Sequence, residues 1–328
     1  VNERAVEFLR NMNAGLHKLH PSAILMAEDS TDFPKVTAPT EYDGLGFDYK
    51  WDLGWMNDTL KYYGKDPIYR KYHHNQLTFS MAYFYSENFM LPLSHDEVVH
   101  GKGTILNKMW GSYEDKFAQV RNLYAYQFAH PGKKLNFMGN ELGSFDEWNE
   151  NKSIPWELKK FPKHDSVSRL FRDLNLIYQN HKAMYFEEYN QAHFQWIMAD
   201  NAEQSVLVFK REVPGETMIF VFNMTPRFYS EYDIGVPYEG EYEEILNTDK
   251  DVYGGWNQYN GANLFTHGSG LQNQPYRITI KLASFAGIFL RYIPKIKEEE
   301  KPVIEQKAEP IKQASAKKTT TRKRASKK

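Results

Sequence analysis

Three apolar runs along the chain each stop abruptly at carboxylates. Residues 23–27 (Ala-Ile-Leu-Met-Ala) run into Glu28 and Asp29, and the run from 88 to 93 hands over to Ser94, His95, Asp96 and Glu97. Residues 134–138 end in Gly139, Asn140 and Glu141. A continuous apolar run, rather than an alternating one, predicts a strand covered on both faces, as in a parallel sheet. Between these runs the period changes to that of a helix. Residues 1–20 place Val6, Leu9, Met12 and Leu16 at spacings of three and four, and 54–63, 113–129 and 166–184 carry similar stripes. Residues 47–51 read as a further short strand, whereas 66–87 is polar and aromatic without a clear period. Strand and helix in alternation predict an α/β architecture around a parallel sheet, with residues 1–188 as one domain.

The grammar changes after Glu188. Short β-type runs at 195–199, 205–211, 218–223, 241–246 and 277–292 are separated by Gly, Pro and Asn turns. They predict an all-β antiparallel sandwich over 189–293. From 294 to 328 aromatic residues vanish and Lys, Glu, Ala, Ser and Thr dominate. Such a tail buries too little apolar area to offset its ordering entropy and is expected to be disordered.

Charge sharpens this division. The formal net charge of −1 conceals 12 Lys/Arg against 5 Asp/Glu beyond Pro294, which leaves 29 against 37 in the body. A body near −8 repels phosphates, so no nucleic-acid partner is expected. The 328 residues are 41% hydrophobic, enough for a substantial core. No run is long enough to cross a membrane and no leader is recognisable at the start. The absence of Cys removes disulfides and thiolate metal sites and fits a reducing, cytoplasmic setting. The chain opens at Val1, inside a helical pattern, from which further residues upstream are expected.

Carboxylates at the tips of different strands of one sheet suggest glycoside chemistry. One acid protonates the leaving oxygen while another group attacks or stabilises the sugar cation. Glu28 and Asp96 are the candidates, although either would serve equally as a cap on the turn that follows. His95 and His100 imitate a zinc helix motif with one residue too many. Five residues turn a helix by roughly 140°, so the two rings would not share a metal. A sugar hydroxyl is the better partner for His95. Trp51, Trp55, Trp148 and Trp156 lie in or beside loops that follow strands, where flat rings suit stacking on pyranose faces. No phosphate loop or dinucleotide fingerprint is present, so no metal or other cofactor is expected.

Several longer stretches carry a closer likeness: Met26 to Pro34, Tyr49 to Met56, Leu91 to Lys102, Phe137 to Glu141, Arg172 to Asn175 and Glu244 to Asp249. Through them the chain resembles the 1,4-α-glucan (glycogen) branching enzymes of the α-amylase superfamily over residues 1 to about 293. The resemblance implies the C-terminal half of a TIM-type (β/α)8 barrel followed by the sandwich. It implies a retaining transglycosylase acting on α-glucan, which cuts an α-1,4 bond and rejoins the chain to a C6 hydroxyl. Glu28 would be the general acid/base and Asp96 the transition-state stabiliser, with His95, Trp51 and Asp29 binding substrate. The nucleophilic Asp of that family belongs to the strand before the one ending at Glu28. Residues 1–22 contain no Asp, so the nucleophile is expected upstream and the chain alone is expected to be inactive. An amylase-like α-glucan hydrolase and a noncatalytic glucan-binding protein are the alternative readings.

Overall fold

A computed structural model describes residues 1–261 and 263–294. The expected disordered tail lies outside the described residues. Four strands, β1 (Met26–Ala27), β2 (Tyr49–Trp51), β3 (Phe89–Leu93) and β4 (Lys133–Asn136), form a parallel sheet in sequence order. β3 lies between β2 and β4 and all five of its residues are buried, which is why it reads as an unbroken apolar run. Two of the other runs were too generous. Of 23–27 only Met26 and Ala27 pair, and the run 134–138 overlaps β4, Lys133–Asn136, only over 134–136.

Helices cover this sheet. The chain passes from β2 to β3 through the Leu53–Tyr63 helix and a series of short turns, so the segment without a period is helical in pieces. From β3 it reaches β4 through the Tyr113–Ala129 helix, which opens on a Ser112–Asp115 capping box. At the turn into β4, Gly132 lies so close to the Phe89 carbonyl that a Cβ would stand 2.8 Å from it, at a φ of +101°. The Pro162–Asn180 helix follows β4 and the Lys182–Tyr185 turn ends what reads as a single helix over 166–184.

A six-stranded sheet follows, built of β5 (Phe194–Met198), β6 (Val206–Val213), β7 (Glu216–Asn223), β9 (Glu241–Asn247), β10 (Leu264–Phe265) and β12 (Gly287–Ile293) in the order 10-9-12-7-6-5. A two-stranded sheet pairs β8 (Tyr229–Val236) with β11 (Tyr276–Leu282). All pairings are antiparallel, as expected, but the run 277–292 is two strands on different sheets. Phe285, at φ +51°, lies in the turn that separates them.

Both faces of the larger sheet are covered. Leu207, Phe209, Phe220, Phe222 and Phe289 pack into the same core as the Tyr113–Ala129 helix, while Val206, Val208, Ile219, Val221 and Ile288 pack against Ile234, Ile278 and Ile280 of the smaller sheet. The two-residue alternation therefore sorts apolar residues between two cores instead of between core and water.

The Tyr113–Ala129 helix is consequently buried almost all round from Gln119 onward, not along a single stripe. Its polar residues are bonded to backbone on either side. Gln127 donates to the Leu91 carbonyl at 3.0 Å, Arg121 to the Thr248 carbonyl at 2.9 Å, and Asn122 to the Asn223 carbonyl at 3.3 Å. Arg70, fully buried, adds bonds to the carbonyls of Met224 (2.6 Å) and Tyr63 (2.8 Å), its guanidinium lying over the rings of Tyr62, Tyr63 and Phe285.

Candidate active site

The carboxyl ends of β1, β2 and β3 bring Glu28, Trp51 and the His95–Asp96 pair to one end of one sheet. One strand separates β1 from β3, so their axes lie about 10 Å apart.

Glu28 is exposed, and among the described residues no side chain or amide bonds its carboxylate. It lines a groove of about 830 Å³ between the loop after β1 and residues Val1 to Leu9. Its neighbour Asp29 is engaged on all sides. Lys50 Nζ lies 3.0 Å from Asp29 Oδ2, and the Thr31 amide and hydroxyl donate to the same carboxylate at 3.1 and 3.0 Å. Partial burial opposes its charge, but those three donors outweigh it and hold the acid below its usual range. The Glu3–Leu19 helix and the loop after β1 are pinned by further polar ties. Asn13 donates to the Leu45 carbonyl at 2.8 Å, and Glu87 accepts the amides of Val36 and Thr37 at 2.8 and 2.7 Å.

Trp51, half-buried at the end of β2, lines a second groove of about 570 Å³ with Asp29, Lys50, Asp58, Phe79 and Tyr83. Asp52 follows it and is buried. Sequence reasoning did not single it out, since Asp before a helix reads simply as a cap. It does cap the Leu53–Tyr63 helix, accepting from the Trp55 amide at 2.8 Å, and its Oδ1 also takes the Tyr83 hydroxyl at 2.8 Å. Its Oδ2 is buried without a partner among the described residues. Burial, only partly offset by those two donors, raises its carboxyl to about 6.

After β3 the backbone turns through His95–Glu97. His95 Nε2 stands 3.4 Å from Asp96 Oδ1, with both side chains about half exposed (48% and 51%). The imidazole packs against Phe137, which in turn packs edge-on against Trp148. His100 has a φ of +57°, so His95 and His100 do not share a helix. Among the described residues there is no cluster of three or more potential metal ligands.

The loop after β4 completes the wall. Asn140 donates to the Leu93 carbonyl at 3.2 Å. Glu147 accepts the amides of Gly101 and Gly103 at 3.0 and 2.6 Å, bonds that keep its carboxyl below the ordinary range and tie this loop to the one after β3. Trp148 lines a pocket of about 330 Å³ between those loops. Trp55 is core, while Trp156 is exposed.

Residues 196–293 match the family described as alpha amylase, C-terminal all-beta domain. Solved structures share this arrangement over most of the chain. The alpha-amylase from H. orenii superposes with a TM-score of 0.57 at 12% identity, covering 89% of this chain and 57% of its own. AmyP in complex with maltose gives 0.60 at 13% identity, covering 87% and 61%. At those identities the likeness speaks for the fold, which is that of the α-amylase class: part of an α/β barrel followed by an all-β domain.

Sequence narrows the class. The 1,4-alpha-glucan branching enzyme of Clostridium perfringens is 49% identical over 310 residues, 93% of this chain, and that of Myxococcus xanthus is 47% identical over 283 residues, 86% of this chain. The chain belongs to the family of 1,4-alpha-glucan branching enzymes. It spans 46% and 39% of the length of those two relatives, respectively.

Proposed function

We propose that this chain is part of an α-1,4-glucan branching enzyme, with residues 1–188 as the second half of its barrel and 189–293 as its sandwich domain. The supporting observation is the placement of Glu28 and Asp96 at the carboxyl ends of parallel strands, in a chain nearly half identical to proteins named for that reaction. Glu28 protonates the glycosidic oxygen while a nucleophilic carboxylate attacks C1, giving a glycosyl ester and releasing the rest of the chain. Glu28, now ionised, takes the proton of a C6 hydroxyl whose oxygen displaces the ester, so configuration is retained and the nucleophile is regenerated. Asp96 stabilises the positive charge on the sugar ring, and His95 bonds a hydroxyl. Trp51 stacks on the acceptor side. Asp29, bonded to Lys50 and Thr31, binds substrate with whatever acceptor capacity those donors leave. We assign the nucleophile to the part of the relatives that this chain does not span.

The substrate is an α-glucan. The negative body disfavours nucleic acid, no described helix is long and apolar enough to cross a membrane, and the lack of Cys favours the cytoplasm. Residues 1–328 joined behind the N-terminal part of the Clostridium perfringens relative should convert amylose to a product with new α-1,6 linkages, and residues 1–328 alone should not. In that chimera Glu28→Gln should lower the rate by about 10²- to 10⁴-fold, the usual contribution of general acid–base catalysis. New reducing ends without α-1,6 bonds would replace this reading with an α-glucan hydrolase.

A further inference from the structure

The loop between β9 and β10 holds an indole in water with unusual care. Trp256 is 76% exposed. Single exposed apolar residues are ordinary, but the backbone around this one is framed by Asp249, itself buried. The Asp249 carboxylate accepts the amides of Trp256 at 3.1 Å and Gln258 at 2.9 Å, and its carbonyl accepts the amide of Asn257 between them at 2.7 Å. Gly255 passes so close that a Cβ would meet the Asp249 carbonyl at 2.1 Å. Asn257 adopts a φ of +64°. Downstream, Glu244 accepts both the amide and the side chain of Asn260, at 3.3 and 2.6 Å.

This frame is bolted to the barrel half. Lys163 donates to the Gly254 carbonyl at 2.9 Å, and the Tyr253 hydroxyl donates to Asp173 at 2.9 Å. The first of these bonds sets the loop beside the start of the Pro162–Asn180 helix, whose capping residue, Phe161, is 56% exposed. His164 Nδ1 lies 2.9 Å from the Leu142 carbonyl, in the loop that leaves the carboxyl end of β4. Phe161 thus opens the helix that follows β4, and neither ring lines the grooves of Glu28 and Trp51.

We propose that Trp256, with Phe161, forms a platform for an α-1,4-linked glucan chain, separate from the cleft. The inference rests on the proposed substrate. A rigid, flat ring offers a pyranose face a stacking surface without the entropy of ordering a mobile loop. The Gln258 side chain, exposed and unbonded among the described residues, borders it with an amide suited to sugar hydroxyls. A platform beside the cleft favours long chains, which span both, over short ones.

The test is native electrophoresis of residues 1–328 through gels containing amylopectin, with maltotriose as a soluble competitor. The unsubstituted chain should be retarded. Trp256→Ala should raise its apparent dissociation constant for amylopectin about three- to tenfold, with thermal unfolding unchanged, and Trp256→Phe should restore most of the retardation. Trp51→Ala should weaken binding independently, so that the double substitution loses more than either single one. Retardation of Trp256→Ala equal to that of the unsubstituted chain would overturn the platform and leave the glucan reading intact. No retardation of any form would also overturn it, and the linkage assay on the chimera would then judge the glucan reading on its own.

Discussion

β1 and β3 carry the two proposed catalytic carboxylates, yet the chain secures them by different means. β3 is five residues long, lies between two partners and is buried throughout in the main core. β1 has two paired residues at the sheet edge, one of them, Met26, 45% exposed, and it is backed by a small cluster of Ala27, Val36 and Leu45. What β1 lacks in apolar burial is supplied by polar side chains bonded to backbone, Asp48 to the Leu25 amide, Asn13 to Leu45, Glu87 to Val36 and Thr37, and Lys50 to the Thr31 carbonyl, together with the Lys50–Asp29 ion pair. The strand leading to Asp96 is thus held by packing, and the strand leading to Glu28 by hydrogen bonds and an ion pair from polar side chains.

The contrast can be tested from its strong end to its weak one. Leu91, fully buried in β3, should on replacement by Ala cost about 2–5 kcal/mol in global unfolding, read by denaturant titration, because a cavity opens in the main core. Asp52 follows β2, the strand between the two regimes. With its folded pKa raised to about 6, it favours folding when protonated, and that contribution is lost as pH rises from about 4 through 6. Asp52→Asn keeps an acceptor for the Trp55 amide and should stabilise the protein by about 1–3 kcal/mol at pH 8 while leaving it unchanged at pH 4. Comparing urea midpoints at the two pH values checks this, and a gain equal at both would refute the assignment. Glu87→Gln should leave global unfolding nearly untouched but speed hydrogen exchange at Val36 and Thr37 by about tenfold, as expected when a charge-assisted bond worth roughly 1.5 kcal/mol is weakened.

The same contrast explains what could be read from sequence. The run ending at Leu93 announced β3, because burial on both faces leaves an unbroken apolar signature. The carboxylates following the apolar runs flagged Glu28 and Asp96 for the same reason. β8 went unseen because Ser230, Glu231, Asp233 and Gly235 interrupt it and a register shift breaks its pairing with β11. Asp52, Glu87 and Lys50 escaped because their partners are 31, 51 and 21 residues away, and no local pattern records such distances. The helical stripe expected at 113–129 accounted for one face only. The other face is polar in sequence and buried in fact, since Arg121 and Asn122 satisfy carbonyls of the sandwich.

That doubly buried helix makes the barrel half and the sandwich a single heritable piece. In a chain cut between the two sheets, Arg70, Arg121 and Asn122 would each lose a carbonyl partner in the sandwich, and Phe209, Phe220 and Phe222 would face water. Modules joined by a linker can be shuffled between genes one at a time. These two can be exchanged only together, so recombination that respects the fold has its breakpoints outside the span from β1 to β12.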